Sequence, residues 1–179
     1  FENGRMNRER VEPSLSPSMD IQVSSNFERL LFELLGRDAQ LCAAKMKEFA
    51  TKGIFEVSTE HIKKLKETFA AYRINDIQTT HTIKSLFDDY GIMFDPHSAV
   101  GLCAAKSARR DKIIAEHIPI ISLACAHPAK FPDVVEKAIG IRPEIPKQLS
   151  ELMNRQDTKI DIDAETKAIQ EMIIKKKRN

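Results

Sequence analysis

The side chains best suited to chemistry lie at the end of an apolar run and in a polar segment upstream of it. Cys125 and His127 follow residues 118–124, which read Ile-Pro-Ile-Ile-Ser-Leu-Ala. A thiol near an imidazole can serve as a nucleophile, but closeness in sequence does not fix catalytic geometry, and no other part of a cysteine-protease pattern is visible. The upstream segment, Asp95-Pro96-His97-Ser98, carries a histidine that the fold could bring to His127. Two lone histidines in loops are more often structural than catalytic, so residue types alone leave the chemistry open.

The common motifs for nucleotide, metal and acyl-transfer chemistry are missing from the sequence. There is no Gly-x-Gly-x-x-Gly, no P-loop and no Gly-x-Ser-x-Gly elbow. Cys42, Cys103 and Cys125 are far apart and none belongs to a Cys-x-x-Cys pair, so we predict no metal site. Three cysteines in this length do not make a disulfide framework either, which favours a reduced, cytoplasmic setting.

The composition bears on the class of partner. The 179 residues carry 28 Lys and Arg against 26 Asp and Glu, a net charge of +2, which gives no electrostatic reason to expect nucleic acid. No apolar run approaches the ~18 residues that suggest a membrane span, so no membrane is expected. With 42% apolar and 30% charged residues, the chain is long enough to bury a core. These values fit a small-molecule enzyme better than a nucleic-acid binder.

Helices alternate with short extended pieces along the chain, which predicts an α/β fold. Residues 118–124 are almost continuously apolar, as in a strand buried on both faces of a parallel sheet. The loop after such a strand is where open α/β sheets bind ligands. Residues 19–23 alternate as a short strand, and Ser25 to Glu28 fits a capping box. Capping residues, glycine stops and apolar spacing predict helices over 25–35, 38–52, 58–72, 79–90, 96–105, 133–139, 147–153 and 163–177.

The sequence divides after Gly140. Residues 1–140 hold the predicted strands and most helices, whereas residues 141–179 form a Pro-containing stretch followed by a helical tail. The chain begins at Phe1 rather than at Met, so we expect either a processed product or the rear part of something longer.

Three stretches become specific when they are taken together: Leu15–Ile21 running into Ser24–Leu31, then Phe94–Gly101, then Ala124–Phe131. In this order and at roughly this spacing, they resemble the C-terminal portion of threonine synthase, particularly the longer bacterial and fungal type. The resemblance extends to about Gly140 and is weaker in the tail. It implies that residues 1–140 are the rear part of a catalytic domain that uses pyridoxal phosphate (PLP). The implied architecture is a partial three-layer fold, with helices around a short, mostly parallel sheet, as in the rear portion of a fold-type II enzyme.

The resemblance also implies a cofactor contact. Threonine synthases convert O-phospho-L-homoserine and water to L-threonine and phosphate, and PLP acts as an electron sink for carbanions. The family's motif usually reads Thr-Ala-His-Pro-Ala-Lys-Phe, with the Thr hydroxyl near the pyridine nitrogen, which implies cofactor contacts from Cys125, Ala126 and His127. Cys125 stands in the Thr position, and a thiol is the weaker hydrogen-bonding group.

The implied substrate, O-phosphohomoserine, is a small molecule with a phosphate group. The resemblance implies substrate contacts from Lys130, His97 and Asp20, with Lys130 facing a phosphate. The family's Schiff-base lysine lies upstream of these motifs, and no Gly-rich loop for the cofactor phosphate is found in this sequence. We therefore predict no catalytic residue in this chain and expect the chain alone to be inactive without the missing N-terminal portion.

Two other functions stay open at the level of sequence. A non-catalytic remnant or interaction module would keep the helical surface and bind no cofactor, and Cys125 and the missing lysine favour it. Another PLP-dependent lyase or dehydratase of the same fold is the third, although Met19-Asp20 and His127–Phe131 argue against it. The genome immediately upstream separates the first two: an in-frame lysine and a Ser-Gly-Asn-type loop favour the enzyme, and a stop or frameshift favours the remnant.

Overall fold

The computed structural model describes residues 2–153, 155–156 and 159–177. They form two compact units that divide between Glu144 and Ile145. The first unit holds β1 (Arg5–Asn7), α1 (Ser25–Leu34), α2 (Ala39–Lys52), β2 (Ile54–Glu56), α3 (Thr59–Lys66), α4 (Asp76–Tyr90), α5 (Pro96–Arg110) and α6 (Pro132–Ile139). The second holds α7 (Lys147–Met153) and α8 (Thr166–Lys177). The predicted functional division into 1–140 and 141–179 stays a prediction. Within the described residues, no helix is long and apolar enough to cross a membrane.

The first half of the first unit closes around a core of its own. β1 and β2 pair antiparallel, with Met6 opposite Phe55. The rings of Phe49 and Phe55 meet edge to face at 5.6 Å between centroids, a favoured aromatic arrangement. The buried members of this core come from α1, α2, β2 and the residue after α1: Leu31, Leu35, Cys42, Phe49 and Phe55.

A second core forms where α4 packs against α5 and α6. Ile83 and Ala99 are fully buried there, and the largely buried Ala138 packs in the same cluster. The ends of α4 are well defined, because Asn75 and Gln78 form a capping box at its start and Gly91 takes the left-handed conformation at its end. This packing fixes the start of α5, which carries most of the polar residues discussed below.

The mostly parallel sheet that the sequence predicts is not formed by the described residues. Their one sheet has two strands, β1 and β2, and these are antiparallel. Residues 118–124 are unpaired, with Ile121 89% and Leu123 78% exposed. The guanidinium of Arg109 holds the segment by donating to the carbonyls of Ala115 and Ile118. A strand needs the backbone groups of a neighbour, and none pairs with this segment in the described chain.

Three other local predictions differ from the structure: one short strand, one capping box and one helix start. Residues 19–23 are not a strand; a 3-10 turn covers Pro17–Met19 instead, because Pro17 suits the first position of a helical turn. The capping box predicted from Ser25 is absent, and Ser24 precedes α1 without a side-chain hydrogen bond. The helix predicted from 79 starts earlier, at Asp76, because Asn75 caps it.

Candidate functional site

The start of α5 is held by a carboxylate that is buried in the protein. Asp95 is 1% exposed and has an extended backbone, and its Oδ1 accepts from the amides of His97 at 2.9 Å and Ser98 at 3.3 Å. Pro96 follows at the first helical position, where a missing N–H costs nothing. The predicted helix start is therefore confirmed, and Asp95 is its cap.

The same carboxylate reaches across to the loop that follows residues 118–124. Its Oδ2 accepts from the Ser98 hydroxyl and, at 3.3 Å, from the amide of Ala126. The Ser98 Oγ in turn accepts from the amide of Cys125 at 2.8 Å. The backbone of Cys125 and Ala126 is thus tied to the first turn of α5 through two side chains.

His97 links α5 to the segment before α1. Its Nδ1 lies 3.1 Å from Asp95 Oδ1, and its Nε2 accepts from the amide of Ser18 at 3.3 Å. Because Nε2 accepts, the proton sits on Nδ1 and is donated to Asp95. The ring also packs against Phe131, with 4.7 Å between centroids. His97 is 4% exposed and both ring nitrogens are engaged, so it serves here to connect segments, and its predicted contact with substrate stays a prediction.

Asp20 orders the turn that leads towards α1. Its carboxylate accepts from the Ser14 amide at 2.8 Å and from the Ser14 hydroxyl at 2.7 Å. The amide of Leu15 donates to Asp76 at the start of α4. Asp20 is half-buried and lines an open cleft of about 830 Å³ between residues 9–22 and 72–77.

The cleft beside Asp20 and the loop after residues 118–124 are separate features. None of the described residues that line the cleft comes from that loop. Tyr72 lies in the cleft wall, and desolvation together with the neighbouring Asp111 raises the pKa of its phenol. The structure therefore places Asp20 and Lys130, both predicted to contact substrate, in different surroundings.

The side chains of the loop itself are presented to the surface. Cys125, His127 and Lys130 are exposed and Ala126 is half-buried. The Cys125 thiol donates to the carbonyl of Leu123 at 3.6 Å, and His127 Nδ1 accepts from the Ala129 amide at 3.1 Å. Among the described residues, no hydrogen bond joins Cys125 to His127, so the pairing that a cysteine nucleophile needs is not formed.

The three stretches picked out by sequence thus meet at one place. Ser18 comes from the first, Asp95, His97 and Ser98 from the second, and the amides of residues 125–126 from the third. In the sequence Asp95, Ser18 and Ser98 lie within the family-like stretches, but nothing in the pattern assigns them a connecting role. Their role as a junction depends on tertiary packing that a sequence pattern does not contain.

Comparison with known proteins bears on the family resemblance of the chain. The family model described as "Threonine synthase, C-terminal" matches residues 98–173. Threonine synthase from Pseudomonas aeruginosa is 40% identical over 154 residues, which cover 86% of this chain and 32% of that protein. The PLP-bound threonine synthase structure from Brucella melitensis matches with a TM-score of 0.81 and 38% identity, covering 99% of this chain and 37% of that one. The yeast enzyme structure gives 0.79 and 29%, covering 99% and 39%.

The chain is similar to the C-terminal part of threonine synthases. It spans about a third of the length of the relatives that it matches. The match to solved threonine synthases confirms the predicted α/β fold at that level, and the predicted family resemblance is confirmed with it. The matched family region starts at Ser98, so it includes the Ser98 hydroxyl and the whole loop that binds it.

Proposed function

We propose that this chain forms the C-terminal part of a threonine synthase, which converts O-phospho-L-homoserine and water to L-threonine and phosphate with PLP. The observation that carries the proposal is the meeting of the three family-like stretches around Asp95. The relatives named above support it, because their similarity covers nearly the whole chain. On this proposal the Schiff-base lysine and the phosphate loop belong to the part of the enzyme that precedes these residues.

The missing part also supplies the partner for residues 118–124. Ile121 and Leu123 point away from protein, at 89% and 78% exposed, whereas Ser122 is half-buried near Gly101 of α5. This apolar extended segment has a helix on one side and no covering element of the described residues on the other. In an α/β fold, such a segment is normally paired with neighbouring strands and covered on both faces. We infer that it becomes a strand of a mostly parallel sheet when the N-terminal portion is present.

The loop after that segment fits the contact that PLP needs near its pyridine nitrogen. When bound, PLP supplies the electron sink for the reaction. Cys125 presents an exposed thiol from a backbone that Ser98 holds in place, and a thiol can form a weak hydrogen bond with a ring nitrogen. In the proposal Ala126 and His127 lie against the cofactor, and the exposed ammonium of Lys130 binds the substrate phosphate.

Asp20 plays a supporting part in this proposal. It orders the turn at Ser14, next to the 3-10 turn whose Ser18 amide binds His97. Its contact with substrate would require the cleft to face the active centre of the complete enzyme. We place the protein in the cytoplasm, in keeping with three free cysteines.

Joining this chain to the first two thirds of the P. aeruginosa relative tests the proposal. We expect the joined protein to release phosphate from O-phosphohomoserine in a PLP-dependent reaction, and the front portion alone to release none. The matched variant Cys125→Thr restores the family's usual residue and should raise the rate by about 2- to 10-fold, the value of a better neutral hydrogen bond. A joined protein that folds, judged by circular dichroism and a monodisperse elution, but binds no PLP would contradict the proposal.

The non-catalytic module is the second candidate, and Cys125 is the observation that favours it. A chain released from catalysis has no need of the hydroxyl at this position. The joined protein decides here as well: a remnant would fail to bind PLP even as Cys125→Thr, whereas an enzyme part would gain binding from that change.

A further inference from the structure

Asp95 does more than a helix cap requires. Asp38 caps α2 with a single hydrogen bond, from the amide of Leu41 at 2.9 Å, and is exposed to solvent. Asp95 is 1% exposed and accepts from two amides of its own helix, a histidine ring, a hydroxyl and an amide of a distant loop. A cap alone would be served by the first two of these bonds.

The two carboxylate oxygens of Asp95 accept hydrogen bonds from different parts of the protein. Oδ1 receives the amides of His97 and Ser98 and the His97 ring. Oδ2 receives the Ser98 hydroxyl and the Ala126 amide. One oxygen therefore caps the helix, while the other reaches the loop that carries Cys125.

Little else holds this part of the loop. The amides of residues 120–124 make no hydrogen bond with the described protein, and the bonds from the Cys125 and Ala126 amides are the first after that gap. The side chain of Cys125 is exposed, so packing does not fix it either. Apart from the thiol's own bond to the Leu123 carbonyl at 3.6 Å, the position of Cys125 depends on the two bonds to Ser98 and Asp95.

We propose that Asp95 and Ser98 are positioning residues that set the Cys125–Ala126 backbone and so aim the Cys125 thiol at the PLP ring. The role in cofactor binding rests on the function proposed above; the link between Asp95 and the loop does not. Neither residue touches the cofactor, and each acts through the loop. Charge makes Asp95 suited to this task, because hydrogen bonds to an ionised acceptor are stronger than neutral ones.

Asp95→Asn separates the two oxygens of the side chain. The amide oxygen of Asn can keep the bonds to the helix amides, since Asn is as good a cap as Asp. The NH₂ group then stands where Oδ2 stood and faces the N–H of Ala126, so two donors meet and the bond is lost. Ser98→Ala is the second variant, which removes the acceptor of the Cys125 amide and leaves the capping carboxylate in place. Asp38→Asn is the matched control at a cap that has no loop contact.

The first measurement uses this chain alone and needs no cofactor. Amide hydrogen exchange followed by NMR should show Ala126 exchanging roughly 10-fold faster in Asp95→Asn, and Cys125 roughly 10-fold faster in Ser98→Ala, the effect of losing about one hydrogen bond. Asp38→Asn should change neither amide. Unchanged exchange at both amides in both variants would overturn the proposed link.

The second measurement uses the joined protein and asks whether the loop position reaches the cofactor. Asp95→Asn should weaken PLP binding about 10-fold with Cys125 present and by a clearly smaller factor in a Cys125→Ala background, where only the contacts of Ala126 and His127 remain to be displaced. The absorbance maximum of bound PLP should shift with Cys125 present only. Equal weakening in both backgrounds would show a merely structural role and overturn the positioning role. If the unmodified joined protein binds no PLP, the proposed function and the cofactor role of Asp95 fail together, while the exchange result still decides the loop link.

Discussion

The first half of the first unit and the segment 118–124 both carry large apolar side chains, but these side chains are buried in the first region and exposed in the second. Leu31 and Phe49 are buried within a core that α1, α2 and β2 complete among themselves. Ile121 and Leu123 stay exposed, although they belong to the most apolar run of the chain. The difference lies in the distance to the covering element, since the first core finds its partners nearby in the sequence. The second segment has α5 on one face and no covering element among the described residues on the other, and on the proposed function a sheet of the complete enzyme covers that face.

We expect the largest difference between the two regions in the free energy of unfolding, when one leucine in each region is replaced by alanine. Leu31 is 0% exposed, so Leu31→Ala should lower the free energy of unfolding by about 2–5 kcal/mol through lost burial and a cavity. Leu123 is 78% exposed, and Leu123→Ala should change it by no more than about 0.5 kcal/mol. Urea titrations of both variants check this, and a comparable loss in Leu123→Ala would show that the segment is packed after all.

The second effect compares two helix caps. Asp95→Ala removes a cap and leaves donors without an acceptor on buried Ser98 and half-buried Ala126, so it should cost about 2–4 kcal/mol. Asp38→Ala, at an exposed cap with one bond, should cost about 1 kcal/mol. Thermal or urea unfolding of the two variants measures the gap. Equal losses would mean that the bonds from Asp95 to the loop add nothing to stability.

The third effect distinguishes the thiol in the first core, Cys42, from the thiol that follows residues 118–124, Cys125. Burial, with a smaller contribution from Glu28, raises the pKa of the Cys42 thiol, so less thiolate is present at a given pH, whereas Cys125 is exposed. Iodoacetamide labelling at pH 8, mapped by mass spectrometry, should modify Cys125 at least about 10-fold faster than Cys42. The rate at Cys42 should rise only towards higher pH. Labelling of Cys42 as fast as Cys125 would show that the first core opens readily.

The smallest effect probes the contact between α5 and the open segment. A Cβ at Gly101 would lie 3.3 Å from Ser122 Oγ, a close approach. Gly101→Ala should nonetheless stabilise the chain by about 0.5 kcal/mol, because Ala is favoured over Gly within a helix and an unpaired segment can move aside. A loss of stability would indicate that residues 118–124 are held rigidly against α5.

Local signals in the sequence predict helix starts and ends well, because these depend on residues that are close together in the sequence. Asp95 with Pro96 marks the start of α5, and Gly53, Gly91 and Gly140 end helices in the left-handed conformation as predicted. The strand predicted at 118–124 has the right apolar character for a sheet, but periodicity describes one segment and says nothing about whether a neighbour is present.

The contacts of the candidate site could not be predicted from the sequence either, because they join residues far apart in the chain. The sequence singles out Cys125, His97 and Asp20, yet it does not reveal that a helix cap and a serine join the loop to the rest of the protein. Asp95 and Ser98 are ordinary capping types, and only the tertiary structure brings Ala126 within 3.3 Å of a carboxylate 31 residues away in the chain. A buried carboxylate with donors from distant segments is visible only once the fold is known.

Amide exchange over residues 120–124 tests most directly whether this chain is one part of a larger sheet. In the chain alone these amides lack hydrogen bonds to the described protein, and we expect them to exchange nearly as fast as in an unstructured peptide. When the chain is joined to the front portion of the P. aeruginosa relative, pairing with a neighbouring strand should slow their exchange at least about 100-fold. Protection in the chain alone, or equally fast exchange in both proteins, would contradict the account.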